Sequence, residues 1–303
     1  MASSPPPPPS PAQPSPPPAP TAEPPAIAPA DGPLVEHPPW PAWTAPAALI
    51  LGLALGAQGT IIVDVIAHIG GSSLQNPSPA ANIIADIVFD LCFVGAALWL
   101  VSWRSRPRAS DFGYRRVSLP SAAKAFVLAA AGYYGLTAIY GTVLSLHQSD
   151  KLPSDLGVTH STAALVAAAI FVCAIAPMAE EFFFRGFFFG ALRNLPIRLG
   201  ERDLAPWVAA VVTGILFGLA HLGSAPAEYL VPLGFLGFVL CLIRWRTGSL
   251  YPCMALHAAN NALALGVQQL SWNAPEIVGL IFASWLVIAV VTGPLGRRYP
   301  ALA

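Results

Sequence analysis

Residues 161–192 read STAALVAAAIFVCAIAPMAEEFFFRGFFFGAL, and among them only Glu180, Glu181 and Arg185 are acidic or basic residues. A helix needs about 20 apolar residues to cross the hydrocarbon core of a bilayer, so this run is long enough to span one. Pro177 removes a backbone donor near its middle, which predicts a kink. The six phenylalanines after Glu181 are interpreted as lipid-facing and interhelical packing. This segment therefore indicates a membrane helix.

Further apolar stretches of similar length lie on both sides of this run. The whole chain of 303 residues is 55% hydrophobic and 10% charged, whereas soluble domains carry about 25% charged residues. We therefore predict an all-α membrane protein, a bundle of about eight transmembrane helices. Its net charge of zero gives no reason to expect a nucleic-acid partner. The predicted spans are residues 43–68, 82–103, 121–145, 161–192, 206–222, 228–243, 249–268 and 275–293.

The basic residues predict how the chain is oriented. Cytoplasmic connections of membrane proteins carry an excess of Lys and Arg. Of the 15 Lys and Arg residues, 13 fall on connections that share one side if every span crosses; Lys151 lies opposite and Arg185 lies within a span. This pattern predicts cytoplasmic N- and C-termini. Thirteen Arg against two Lys, with abundant Ala and Pro, indicates a GC-rich bacterial genome and hence a bacterial plasma membrane.

Two domains are predicted, a tail at residues 1–42 and a helical transmembrane domain at residues 43–303. Eighteen of the 33 prolines fall within residues 1–41. Because proline fixes φ and lacks a backbone donor, the tail is expected to be disordered, cytoplasmic and partly polyproline II. The four cysteines all lie in apolar runs without CxxC spacing, which favours packing roles over a zinc or disulfide framework.

Ionisable residues inside spans are costly, so they are candidates for function. Glu181 and Arg185 are four residues apart and are expected to pair on one helix face. Glu180 points about 100° away, which leaves its carboxylate free to act as a general base. His221 lies in the next span. His257 and Asn261, four apart on a third helix, offer two donors to an oxyanion.

Three motifs carry a resemblance to a known family: EExxxR at residues 180–185, FxxxH at 217–221 and HxxxN at 257–261. In this order, on successive apolar helices, they resemble the CPBP intramembrane protease family. That family covers type II CAAX prenyl endopeptidases and bacteriocin-processing or self-immunity proteins. The similarity extends over about residues 160–268, including GSLYP at 248–252, and more weakly to DFGYR at 111–115.

The resemblance implies an eight-helix bundle whose cavity is entered from the cytoplasmic side. It further implies an intramembrane endopeptidase that cleaves a membrane-associated protein or peptide. Glu180 would activate water with the help of His221, while His257 and Asn261 would stabilise the oxyanion. Glu181 and Arg185 would hold the site in shape.

The cofactor requirement stays open at this point. A water activated by Glu and His needs no metal, whereas zinc would have Glu180, His221 and His257 as candidate ligands. No HExxH spacing occurs to place such ligands as in ordinary zinc peptidases. Activation of water directly by Glu180 and His221 is favoured over a zinc site.

Two other classes of function are open as well. A non-proteolytic immunity or scaffolding protein would bind a partner through the same motifs. A transporter is suggested by Asp64, Asp86 and Asp90, although packing or surface roles are favoured for these three and no repeat relates the two halves of the chain. A prenylated CAAX peptide, a bacteriocin leader and a membrane-protein segment are all candidate substrates, and the oligomeric state is open.

Overall fold

The computed structural model describes residues 40–103, 106–144 and 155–296. The main helices are α1 (Thr44–Ile69), α2 (Pro79–Ser102), α3 (Ala109–Phe112), α4 (Leu119–Leu144), α5 (Thr162–Leu192), α6 (Ala205–Leu219), α7 (Leu230–Thr247), α8 (Tyr251–Leu263) and α9 (Ala274–Thr292). A short antiparallel hairpin, β1 (Arg198–Leu199) and β2 (Arg202–Asp203), pairs Arg198 with Asp203 between α5 and α6.

The predicted class is confirmed, because the chain is an all-α integral membrane protein with a helix at each of the eight predicted positions. Within the described ranges, α1, α2, α4, α5, α7 and α9 are long and apolar enough to cross a membrane. The other two are shorter: α6 has 15 residues, and α8 has 13 before it continues as a π-helical stretch, Ala264–Gln269. At about 1.5 Å per residue, α6 rises about 22 Å and is shorter than a hydrocarbon core of about 30 Å.

Two predicted boundaries differ from the structure for local reasons. The span at residues 206–222 ends early, at Leu219, because the chain turns at Ala220–Ser224 and passes through Gly223 at a φ of 99°. The span at 228–243 continues to Thr247, where Gly248 adopts a left-handed φ of 66° and terminates α7.

The Trp40 side chain belongs to the packed core of the helical domain. Residues 40–42 were assigned to the tail, yet the Trp40 side chain is buried and its ring lies 4.7 Å from that of Phe112 and 5.6 Å from that of Phe187. The large apolar surface of the indole ring stabilises its packing onto the bundle. The rest of the predicted tail, residues 1–39, lies outside the described residues.

Helix α5 occupies the centre of the bundle and contacts α2, α6, α7, α8 and α9. All six phenylalanines between Glu181 and Gly190 are buried, so their predicted lipid-facing role is wrong and packing between helices accounts for them. Two stretches of α5, Phe171–Ile175 and Phe182–Phe188, have wider π-helical turns. Such turns occur frequently at functional sites in α-helices.

Helices α6 and α7 approach each other through glycines. A Cβ atom on Gly218 would come within 2.5 Å of the Leu230 carbonyl oxygen, and one on Gly214 within 2.7 Å of the Gly234 carbonyl oxygen. Small residues permit this close backbone contact in membrane helices. The contact positions the end of α6, from which His221 follows.

Candidate active site

Glu181, Arg185 and His257 form a buried polar cluster between α5 and α8. Arg185 Nη1 and His257 Nδ1 both lie 2.8 Å from Glu181 Oε1. The Glu181 and Arg185 side chains are 0% exposed and His257 is 2% exposed. The predicted pairing of Glu181 with Arg185 is thus present, with His257 as a third member. Because an ionised carboxylate only accepts, His257 Nδ1 carries the proton of this hydrogen bond.

Further contacts fix the Arg185 guanidinium. Its Nη2 donates to the Gly237 carbonyl oxygen at 3.3 Å, and its Cζ lies 4.1 Å from the centroid of the Phe217 ring. The guanidinium therefore links α5 to both α6 and α7. A planar cation can bond in its plane and stack on an aromatic face at the same time. These contacts support the predicted role of Arg185 in holding the site in shape.

Glu180 occupies a different environment from its neighbour. Its side chain is 21% exposed and lines a cavity of about 610 Å³. The closest ion-pair contact runs from Glu180 Oε2 to His257 Nε2 at 3.9 Å, which exceeds hydrogen-bonding distance. Glu180 Oε2 is itself buried and has no hydrogen-bond partner among the described residues, so this carboxylate in the cavity lining is left without a fixed proton donor, as suits a general base.

His221 also lines this cavity, just beyond the end of α6. Its Nδ1 lies 2.8 Å from the Phe217 carbonyl oxygen, which can only accept, so Nδ1 carries the proton. In the neutral ring, the lone pair is then on Nε2. The FxxxH spacing thus has a local reason, since the backbone four residues earlier sets the tautomer of the histidine.

Asn261 lines the cavity and is held by the irregular part of α5. Its Nδ2 donates to the Val172 carbonyl oxygen at 2.8 Å. This oxygen needs a partner because the N–H of Ala176 bonds to Phe171 and the next residue, Pro177, has no N–H. The predicted kink at Pro177 is a π-helical turn that exposes a carbonyl group to Asn261.

The six predicted site residues divide into two sets. Glu180, His221 and Asn261 line the cavity, whereas Glu181, Arg185 and His257 lie in the buried cluster. His257 and Asn261 are therefore not two free donors on one surface: His257 Nδ1 bonds to Glu181, which leaves Nε2 directed at Glu180. One of the two N–H groups of the Asn261 amide is engaged by Val172.

Three cavity residues were missed or placed elsewhere by sequence reasoning. Asn260, which was not among the site residues predicted from the sequence, lines the cavity, and so do Asp86 and Asp90, for which packing or surface roles were favoured. The four-residue spacing of the two aspartates was the available signal, because it places both on one face of α2. Asp64 does not belong to the cavity lining.

The donor groups as placed do not fit a three-ligand zinc site. Across residues 40–103, 106–144 and 155–296, no group of three His, Cys, Asp or Glu side chains is arranged to hold a metal ion. The hydrogen bonds at Nδ1 of His221 and His257 leave Nε2 of each ring available, so these bonds do not by themselves decide against a metal.

Comparisons with known proteins agree with the resemblance. Residues 162–263 match the family model described as type II CAAX prenyl endopeptidase Rce1-like. Over 106 residues, the chain is 35% identical to the uncharacterized protein YyaK of Bacillus subtilis strain 168. That match covers 32% of this chain and 32% of YyaK, so the chain spans about a third of the length of the curated relative it matches. No solved structure matches the chain.

The segment matched by the family model contains all six predicted site residues. The resemblance drawn from the three motifs is confirmed over this segment. At the level of the family, the match supports a CAAX-type intramembrane protease.

Proposed function

We propose that this protein is an intramembrane endopeptidase that hydrolyses a peptide bond of a membrane-associated protein or peptide. The observation that carries the proposal is the position of Glu180 in the lining of a cavity shared with His221 and Asn261. Support also comes from the family model, whose matched segment, residues 162–263, contains these three residues.

In the proposed reaction, a water molecule in the cavity attacks the carbonyl carbon of the scissile bond. Glu180 accepts the proton of this water, and His221 assists through the lone pair on Nε2. Asn261 donates an amide N–H to the developing oxyanion, and His257 donates from Nε2 when its ring carries both protons. The proton held by Glu180 passes to the leaving amine as the carbon–nitrogen bond breaks.

Glu181 and Arg185 act indirectly in this scheme. Glu181 orients the His257 ring through Nδ1, and Arg185 balances the charge of Glu181. Arg185 pairs with Glu181 and not with Glu180, so the Glu180 carboxylate can accept a proton without first breaking an ion pair.

We propose that water is activated directly, without a metal ion. A carboxylate and an imidazole within one cavity can supply the base. The proposal predicts cleavage that survives a chelator. Loss of activity in chelator that zinc restores would instead show a metal-dependent enzyme.

The proposed partners are membrane lipid and a peptide or lipidated protein as substrate. The bacterial plasma membrane, with both termini cytoplasmic, is the proposed location, resting on the distribution of basic residues. A prenylated CAAX-type substrate is one member of the proposed class.

The test is cleavage of a panel of quenched fluorescent peptides, prenylated and unprenylated, by the purified full-length protein in detergent. Glu180→Gln should lower kcat about 10²- to 10⁴-fold, as expected for loss of a general base, without changing Tm. Glu201→Gln is the matched control, because Glu201 is exposed in the β1–β2 turn.

Other outcomes would support the competing functions. If the phenotype lost on deletion of the gene is restored by the Glu180→Gln variant, the peptidase function is contradicted. An immunity or scaffolding protein that binds a partner is then favoured. Solute flux in liposomes that survives Glu180→Gln but not Asp86→Asn would favour a transporter.

A further inference from the structure

The cavity has a second acidic wall, on α2. Asp86, Phe89, Asp90 and Phe93 follow the spacing of one helical face, and all four line the cavity that holds Glu180. Acidic side chains are costly in a membrane-spanning helix and mark sites where polar groups enter. The rest of this helix is almost entirely apolar, so the two aspartates are confined to the cavity face.

The negative charge of this wall has no fixed counterpart. Asp90 Oδ2 is buried without a hydrogen-bond partner among the described residues, and Asp90 shares the cavity lining with two further carboxylates, those of Asp86 and Glu180. The described side chains that line the cavity include no Lys or Arg. Arg185 is engaged by Glu181 and lies outside the lining. A cation that entered the cavity could pair with these carboxylates, including the unpartnered Asp90 Oδ2.

The remaining lining favours an organic cation on an apolar chain. The apolar part of the lining includes leucines of α1, α6 and α7 and phenylalanines of α2 and α5. A lysine or arginine side chain matches such a surface, because its aliphatic stem packs on apolar groups while its charged end reaches a carboxylate. Phe89 and Phe93 flank Asp90 on the same helical face and present aromatic rings, which attract cations.

We propose that Asp86 and Asp90 form a specificity site that selects substrates with a lysine or arginine side chain near the scissile bond. This proposal rests on the proposed peptidase function, because the cavity is the one that contains Glu180. Asp90 contacts the cationic group of the substrate, and Asp86 adds a second negative charge one helical turn away.

Binding can be measured separately from cleavage. In a Glu180→Gln background, fluorescein-labelled apolar decapeptides are titrated into the full-length protein in nanodiscs, and fluorescence anisotropy reports Kd. Each peptide carries lysine at one position and has a partner with norleucine there. At one position or more, lysine should lower Kd at least about tenfold, as expected for a hydrogen bond to a charged group in a water-poor site.

Aspartate variants then locate the source of this preference. Asp90→Asn should remove most of the difference in Kd between lysine and norleucine peptides, and Asp86→Asn should reduce this difference. Asp64→Asn is the control and should leave the difference unchanged, because Asp64 lies outside the cavity lining. The proposal is overturned if no position shows a lysine preference. It is also overturned if the preference persists in both cavity variants, which would mean that the aspartates are uncharged or serve another purpose.

A cleavage assay with the Glu180-containing protein separates this proposal from the peptidase. If lysine peptides bind in preference but are never cleaved, Asp86 and Asp90 bind cationic side chains, but the peptidase function fails and with it their role in choosing substrates. If lysine and norleucine peptides are cleaved with equal kcat/KM, the peptidase stands and the specificity site fails.

Discussion

Glu180 and Glu181 are adjacent in sequence, yet they belong to two different regions of the molecule. Glu181 is fully buried with Arg185 and His257, whereas Glu180 lines the cavity together with His221 and Asn261. A rotation of about 100° between successive helical residues is enough to separate them. One carboxylate thus belongs to the framework and the other to the reactive surface. His257 connects the two regions, since Nδ1 bonds to Glu181 and Nε2 faces Glu180.

Removing the cation of the buried cluster should have the largest effect on stability. Arg185→Met leaves the Glu181 carboxylate buried without its charged partner, and breaking a buried pair in this way costs about 3–5 kcal/mol. Thermal unfolding of the detergent-purified protein should show a much lower Tm than for the unsubstituted chain. Arg202→Met, at an exposed residue of β2, is the control and should leave Tm unchanged. A normal Tm for Arg185→Met would contradict the framework role of this region.

Close approach of α6 and α7 connects the framework to the cavity. Gly218→Ala places a Cβ against backbone atoms of Leu230 and Gly234, so the helices must separate, at a cost of about 1–3 kcal/mol. Because His221 follows directly, activity should fall by more than the loss of folded protein explains. The measurements are Tm and kcat. Gly132→Ala on α4 is the control, since a Cβ there meets nothing within 4 Å and helix propensity should slightly stabilise it.

The fold was largely predictable from the sequence because hydrophobic length is a strong signal. The pairing of Glu181 with Arg185 was predictable from their spacing. The π-helical turns of α5 were not predictable, since Pro177 is the one residue in this helix whose type indicates an irregular turn. The sequence also did not predict that Asn260, Asp86 and Asp90 line the cavity, because their position depends on how separate helices pack. The end of α6 at Leu219 was not predicted, because Ala220 and Leu222 continue the apolar pattern of the helix.

Restoring a regular helix at Pro177 should affect the cavity without weakening the framework. In Pro177→Ala, the new N–H competes with Asn261 for the carbonyl groups of the π-helical turn. We expect kcat to fall about tenfold, as for loss of one net hydrogen bond of about 1.4 kcal/mol, with Tm unchanged or raised. Pro206→Ala is the control, because Pro206 is in the first turn of α6, where no intrahelical bond is lost. Equal kcat in both variants would mean that the Val172 contact does not position Asn261.

The smallest expected effect separates the two neighbouring asparagines of α8. Asn260 contacts Tyr134 Oη at 3.4 Å and Asn261 Oδ1 at 3.5 Å, both near the limit for a hydrogen bond, whereas Asn261 bonds to Val172 at 2.8 Å. Asn260→Ala should therefore reduce kcat only about twofold, the range of about 0.5 kcal/mol for a weak contact. Asn261→Ala should reduce kcat at least about tenfold, because it removes the proposed oxyanion donor. If both substitutions lower kcat equally, Asn260 also contacts the reacting group, and the reactive surface extends one residue beyond the HxxxN motif.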